Sequence, residues 1–327
     1  MNRYWAVLSI ALCLVLVLGS SLGAAALKPS AAPTAVLLAS GLEGASGSAI
    51  GPGGALYVVE GAAGRVSRVD PQSGEVTTFA SGLPPAIWPI GGATDIAFIG
   101  ETAYVLVTMV GSDIDPEGGN VVGIYRVDGP NSFTVVADIG EYTIENPSES
   151  EVFVPTGLQY ALEVYDGGFL VTDGHHNRLL RVTLDGEISV MMAFDNIVPT
   201  GLTMWGDTVF MAEAGPVPHH PEDGKIVTFG SAMSGVTEVA SGAPLLVDVE
   251  YGRGGKLYAL SQGDFPEDGE PGSPANENTG ALVEANSDGT FSVIADGLNQ
   301  PTSLEFIGNT AYVVTLSGEV WMIDGVN

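Results

Sequence analysis

Short apolar runs alternate with turn residues along nearly the whole chain, and they recur in a fixed order. A segment of the type TGL or TDI is followed by YVV, then RVD, then VVA, each run four to eight residues long. Runs of this length bounded by Gly, Asn and Asp read as strands. Four strands repeating every 40–50 residues read as the blades of a β-propeller. The repeat predicts six blades, within 47–80, 94–139, 156–194, 200–241, 247–297 and 302–324. The last supplies only three strands before the chain ends. Residues 35–42, AVLLASGL, match the end of a blade, as in TTFASGL and SVIADGL. The expectation is an all-β, six-bladed propeller in which this N-terminal strand completes the last blade and removes an open edge.

Up-and-down blades sort their connections by face. The a-to-b and c-to-d connections share one face; the b-to-c and d-to-a connections share the other. The a-to-b connections are minimal, at 51–54, 100–101, 166–167 and 206–207. The elaborated segments, 83–93, 110–120, 140–155, 214–224 and 262–280, all belong to the other face and are rich in Pro and acidic residues. Loops on a rigid scaffold are where binding sites gather, so this face is the expected site for a small molecule or protein ligand.

The N-terminus changes the domain picture. Arg3 precedes an apolar run from Ala6 to Gly19, and Ala24-Ala25-Ala26 offers a small-residue cleavage site. Residues 1–26 read as a secretory signal peptide, with an uncleaved anchor as the alternative, and 27–327 as one propeller domain. The lone cysteine, Cys13, falls inside the signal, so no disulfide is expected in a secreted or periplasmic mature protein. The chain carries 39 acidic against 10 basic residues, a net charge of −29. Such a surface repels nucleic acid and anionic lipid and suits cations. After cleavage no membrane contact is expected, and the protein is expected to be monomeric.

Candidate chemistry is sparse. The aligned first strands put Gly47, Asp95, Gly157, Gly201, Asp248 and Ser303 in one column, with the two aspartates in opposite blades. First strands line a propeller's channel, so Asp95 and Asp248 are candidate ligands for Ca²⁺ or another divalent cation, or else they bond backbone amides. The ends of the second strands add Glu60, Asp173 and Glu213. His175-His176 and His219-His220 follow the second strands of neighbouring blades, where His175 or His219 could serve as a base or ligand. Trp88, among Pro84, Pro85 and Pro89, could form an apolar lip. Glu60, Trp88, Asp173, His175, Glu213 and His219 make up the candidate ligand-binding set. Asp113-Ile-Asp115-Pro-Glu117-Gly118 begins like an EF-hand loop, but position 12 is Ile124 and no helices are expected beside it. Phosphate-loop, zinc-finger and nucleophile-elbow spacings do not occur. No organic cofactor is indicated, and a quinoprotein dehydrogenase is disfavoured because a tricarboxylate cofactor needs basic residues.

The blade text LASGLEGASGSAIGPGGALYVVEG, GGATDIAFIGETAYVL, the two VPTGL segments and DGTFSVIADGLNQPTSLEF resembles exported propellers of the ScyD/ScyE type, associated with scytonemin biosynthesis. The elements GPGGALYVVE and SGL…PT are also similar to NHL-like, streptogramin-lyase-like and gluconolactonase-like propellers. The resemblance implies a periplasmic or secreted six-bladed propeller. Two functions follow as expectations: a binding module using its acidic loop face, with or without structural Ca²⁺, or a metal-dependent lactonase or lyase drawing on His175, Glu213 and His219.

Overall fold

A computed structural model describes residues 33–149, 153–230 and 235–326. The expected signal peptide and its cleavage site lie outside the described residues. Among the described residues, no helix is long and apolar enough to cross a membrane.

The described residues form six four-stranded antiparallel sheets, the blades of a six-bladed propeller. Blade 1 is β2 (Ala45–Ile50), β3 (Leu56–Glu60), β4 (Arg65–Val69) and β5 (Val76–Ser81). Blade 2 is β6 (Gly92–Ile99), β7 (Thr102–Thr108), β8 (Gly123–Gly129) and β9 (Ser132–Asp138). Blade 3 is β10 (Gln159–Tyr165), β11 (Gly168–Asp173), β12 (Arg178–Val182) and β13 (Ile188–Ala193). Blade 4 is β14 (Pro199–Trp205), β15 (Thr208–Glu213), β16 (Lys225–Gly230) and β17 (Thr237–Ser241). Blade 5 is β18 (Leu246–Tyr251), β19 (Leu257–Ser261), β20 (Gly280–Ala285) and β21 (Phe291–Leu298). Blade 6 is β22 (Pro301–Ile307), β23 (Thr310–Thr315) and β24 (Glu319–Asp324), completed by β1 (Ala35–Ser40).

β1 pairs with β24 antiparallel, from Ala35 opposite Ile323 to Ser40 opposite Glu319. The ring is thus closed by hydrogen bonds between the two ends of the domain, which leaves no unpaired edge at the junction of first and last blades. The six innermost strands, β2, β6, β10, β14, β18 and β22, touch in succession around the ring. They form the wall of the channel.

The repeated YVV run has a packing reason. The aromatic that opens it reaches across to the next blade: Tyr57 meets Phe98 at a centroid distance of 4.8 Å, and Tyr258 meets Phe306 at 5.1 Å. Room for these rings comes from glycine. A β-carbon at Gly51 would lie 2.6 Å from Phe98, and one at Gly252 would lie 2.5 Å from Tyr258. This is why GPGG and GRGG precede LYVV and LYAL.

The threonine of the PT(G/S)L segments fastens blade to blade. Thr200 Oγ1 donates to the Leu246 carbonyl of blade 5 at 2.8 Å, and Thr302 Oγ1 donates to the Ser46 carbonyl of blade 1 at 2.9 Å. The segment at 155–158 departs from this pattern. It precedes β10, with Gly157 at φ +83°, and Tyr160 occupies the place taken elsewhere by the threonine. One elaborated loop also carries a short helix, α1 (Ile139–Glu145), whose first turn is capped by the Asp138 carboxylate accepting from the Glu141 amide.

Candidate functional site

The channel contains a cavity of about 220 Å³. Side chains alternate across a strand, so residues two apart on an inner strand share the channel side. Two tiers of channel residues follow. The first is Gly47, Asp95, Ala161, Gly201, Asp248 and Ser303, one per blade. The register corrects the expected column at blade 3, where Ala161 and not Gly157 stands in line. The PTGL text at 155–158 precedes β10, whereas the same text at 199–202 lies within β14, so matching the two segments puts the column four residues too early in blade 3. The second tier, two residues on, is Ala49, Ala97, Glu163, Thr203, Glu250 and Glu305.

Five carboxylates therefore line one cavity: Asp95, Asp248, Glu163, Glu250 and Glu305. No Lys, Arg or His is among its lining residues. The first-tier aspartates are committed to the ring. Asp95 accepts the Ile96 amide at 2.8 Å and the Leu162 amide of blade 3 at 2.7 Å. Asp248 accepts the Val249 amide at 2.9 Å and the Leu304 amide of blade 6 at 2.7 Å. Ser303 does the same for the Ser48 amide of blade 1 at 3.1 Å. The neighbouring small residues make space, because a β-carbon at Gly201 would lie 2.5 Å from Asp248 Oδ1. The second-tier acids are freer. Glu250 accepts from Thr203 Oγ1 at 3.0 Å, and Glu163, Glu250 and Glu305 are all partly exposed.

The electrostatics follow from this crowding. Burial pushes the Asp248 carboxyl up to about 7 against the pull of its amide bonds. Burial, with the charge of Asp248 nearby, takes Glu163 to about 8. Asp95, Glu250 and Glu305 are raised well above the ordinary range, again by burial first and then by mutual repulsion. The chamber resists full ionisation unless positive charge enters it.

The expected ligand set on the loop-rich side has a different character. Glu60, Asp173 and Glu213 each end a second strand and face a basic residue across the pair: Arg65, Arg178 and Lys225. Glu60 is fully buried and bonded by Arg65, Ser67 and the Glu43 amide, which outweigh its burial and hold its carboxyl below the usual range. Asp173 is also fully buried, and its burial is likewise outweighed, here by His176 at 2.8 Å and Arg178 at 3.3 Å. Glu213 differs. Lys225 is drawn to Glu238 at 3.1 Å, and burial leaves Glu213 raised to about 7.

The histidines are engaged by backbone. His175 Nε2 accepts the amides of Phe153 and Val154, at 2.9 and 3.2 Å. His219 is buried, with Nδ1 2.7 Å from the Gly215 carbonyl and its ring edge-on to Phe265. Burial holds both below the ordinary imidazole value. Trp88 stands exposed on the loop between blades 1 and 2. Asp113 accepts from the Thr156 amide and hydroxyl, which ties down the EF-hand-like segment as a turn. Among the described residues, no three His, Cys, Asp or Glu side chains come close enough to share one metal ion.

Sequence reasoning found Asp95 and Asp248 but missed Glu163, Glu250 and Glu305. The signal was present: Leu162-Glu163, Val249-Glu250 and Leu304-Glu305 repeat an apolar–Glu pair at one place in three blades. Strand alternation puts that Glu on the face of the preceding column.

No family model and no curated protein sequence matches the chain. Solved structures do. The chain is similar to a gluconolactonase from Xanthomonas campestris, with 14% identity and a TM-score of 0.60 over 89% of each chain. It is similar to virginiamycin B lyase from Staphylococcus aureus, with 13% identity and a TM-score of 0.53 over 90% of this chain and 99% of that one. The PQQ-bound aldose sugar dehydrogenase of Streptomyces coelicolor has 14% identity and a TM-score of 0.57 over 91% and 99%. These likenesses establish the six-bladed propeller fold and no activity.

Proposed function

We propose that this chain is an exported binding propeller of the ScyD/ScyE type that captures cations in its channel. The observation that carries this reading is five carboxylates around one 220 Å³ cavity with no basic residue in its lining. Burying unpaired carboxylates is costly, and a cation offsets that cost. Asp95 and Asp248 contribute charge while their oxygens hold the ring together. Glu163, Glu250 and Glu305 have oxygens to spare. Because the acids stand on separate walls, they suit a hydrated divalent ion such as Ca²⁺, or an organic ammonium spanning the cavity.

The test is thermal unfolding at fixed ionic strength in chelator, with Ca²⁺, with Mg²⁺ and with putrescine. A ligand of the folded state at a hundredfold excess over Kd stabilises by about 2.7 kcal/mol. The expected result is a cation-dependent rise in Tm that the Glu163→Gln/Glu305→Gln variant loses. The Ca²⁺ and putrescine arms separate metal from ammonium. A rise kept in full by the variant would move binding away from the channel.

The second reading is a lactonase or lyase on the loop-rich side. It is favoured by Glu213, a buried acid raised to about 7 and so poised to exchange protons near neutrality. Turnover of a lactone panel that Glu213→Gln abolishes without changing Tm would support it.

A further inference from the structure

The two ends of the channel are built differently. On the short-turn side the cavity lining runs out to Ile50, Phe98 and Val164, which stand at or one residue before the ends of inner strands beside the tight connections. Toward the loop-rich face the channel narrows to a space of about 30 Å³, lined by Ser46, Thr94, Tyr160 and Thr302 around the Asp95–Asp248 tier. That leaves room for little more than ordered water.

The largest side chain lining this narrow space is Tyr160. Tyr160 stands where blades 4 and 6 carry Thr200 and Thr302. Its hydroxyl donates to the Thr302 carbonyl at 3.4 Å. Tyr160 belongs to blade 3 and Thr302 to blade 6, directly opposite in a six-membered ring, so the phenol lies across the bore.

The loop-rich end is packed further out as well. Tyr160, Val198, Phe265 and Ala275 belong to one apolar cluster that also takes in residues of blade 6 such as Leu304 and Val313. Phe265 and Ala275 come from the 262–280 loop, which is pinned by Gln300 Nε2 donating to the Ala275 carbonyl and by the Ala275 amide donating to Gln262 Oε1. The tip of that loop reaches the connection between blades 1 and 2, where a β-carbon at Gly272 would lie 3.5 Å from Ile90.

We infer that Tyr160 bars the channel, making the acidic chamber a blind pocket that is loaded and emptied through the short-turn face. The elaborated loops then seal the chamber instead of forming its entrance. The barrier stands on geometry alone; its consequence for ligand traffic rests on the cation-binding reading.

Cysteine accessibility tests the barrier without any ligand. The chain has one cysteine, Cys13, which Cys13→Ser removes. Single cysteines are then placed at Ile50→Cys on the rim, Ala49→Cys in the chamber and Thr94→Cys beyond the bar. Each is reacted with a trimethylammonium methanethiosulfonate, whose head group is larger than one water. Rates are expected to fall from Ile50 to Ala49 and to drop at least tenfold at Thr94. Adding Tyr160→Ala should raise the Thr94→Cys rate to near that of Ala49→Cys. Tyr160→Phe, which keeps the ring, should leave Thr94→Cys protected. The inference is overturned if Thr94→Cys reacts as fast as Ala49→Cys with Tyr160 intact, or if Tyr160→Ala leaves it protected. Failure of cation binding with the rate order intact would sink the functional reading and leave the barrier standing.

Discussion

Asp248 and Leu304 belong to different blades, yet the Asp248 carboxylate receives the Leu304 amide at 2.7 Å. Asp95 does the same for Leu162 half a turn around the ring. The first tier therefore reads Gly47-Asp95-Ala161 and then Gly201-Asp248-Ser303, a near two-fold repeat in which a glycine precedes each aspartate. The aspartate carries structural and electrostatic roles at once, and the glycine admits both its side chain and the backbone of its strand.

Gly201→Ala tests that dependence. The new methyl group would collide with Asp248, and overpacking of this kind costs about 1–3 kcal/mol. In an Asp248→Ala background the same change should cost less but not nothing, because the Asp248 Cα and the Val247 carbonyl still crowd the new methyl group at 2.5 and 3.0 Å. Urea unfolding of the four members of the cycle measures the coupling, and additivity would show that the two residues do not meet.

Stability should fall as pH rises through neutrality. The channel acids have folded values above the roughly 4 of an unfolded carboxylate, so the folded state holds extra protons between the two. Their contribution is present below about pH 4 and is lost as pH climbs through about 7 for Asp248 and about 8 for Glu163. Glu60 and Asp173, held low, act oppositely and lose their contribution as pH falls below the ordinary carboxylate range. The Tm should peak on the acid side of neutral, and Glu163→Gln should flatten the alkaline decline in a pH series of melts.

The three acid–base pairs at the ends of the second strands should respond unequally. Arg65→Ala strands Glu60 without its counter-ion in a fully buried site, a change that costs about 3–5 kcal/mol. Lys225→Ala removes a partly exposed partner of Glu238, and such surface pairs are worth about 0–1 kcal/mol. Equal losses in chemical denaturation would refute the assignment of Glu213 as the unpaired member.

Removing residues 33–42 should cost far more than its length suggests. β1 is the outer strand of blade 6, so its loss exposes the edge of β24 and unfastens the ring. Size-exclusion chromatography should show association, and the unfolding transition should broaden. A truncated chain that stays monomeric with an unchanged melt would argue against closure by β1.

The sequence alone determined the architecture. The four-strand repeat, the GxGGxLY turns and the spare half-blade at each end are local patterns, and period-2 alternation with glycine punctuation is fixed by backbone geometry near each residue. It also supplied Asp95 and Asp248, which stand out because their column is otherwise small. Tertiary structure decided the rest. Ala161 takes the column in place of Gly157 because the PTGL text at 155–158 stays outside β10 while its copy at 199–202 is part of β14, and where a strand begins depends on pairing with its neighbour. Glu60, Asp173, His175 and His219 read in sequence as candidate ligand-binding residues but are engaged by protein partners, because partners from three to twenty-two residues away are brought to them by folding. Glu163, Glu250 and Glu305 gain meaning only when the ring brings separate blades around one bore. Tyr160 is an ordinary strand residue until closure sets Thr302 opposite it.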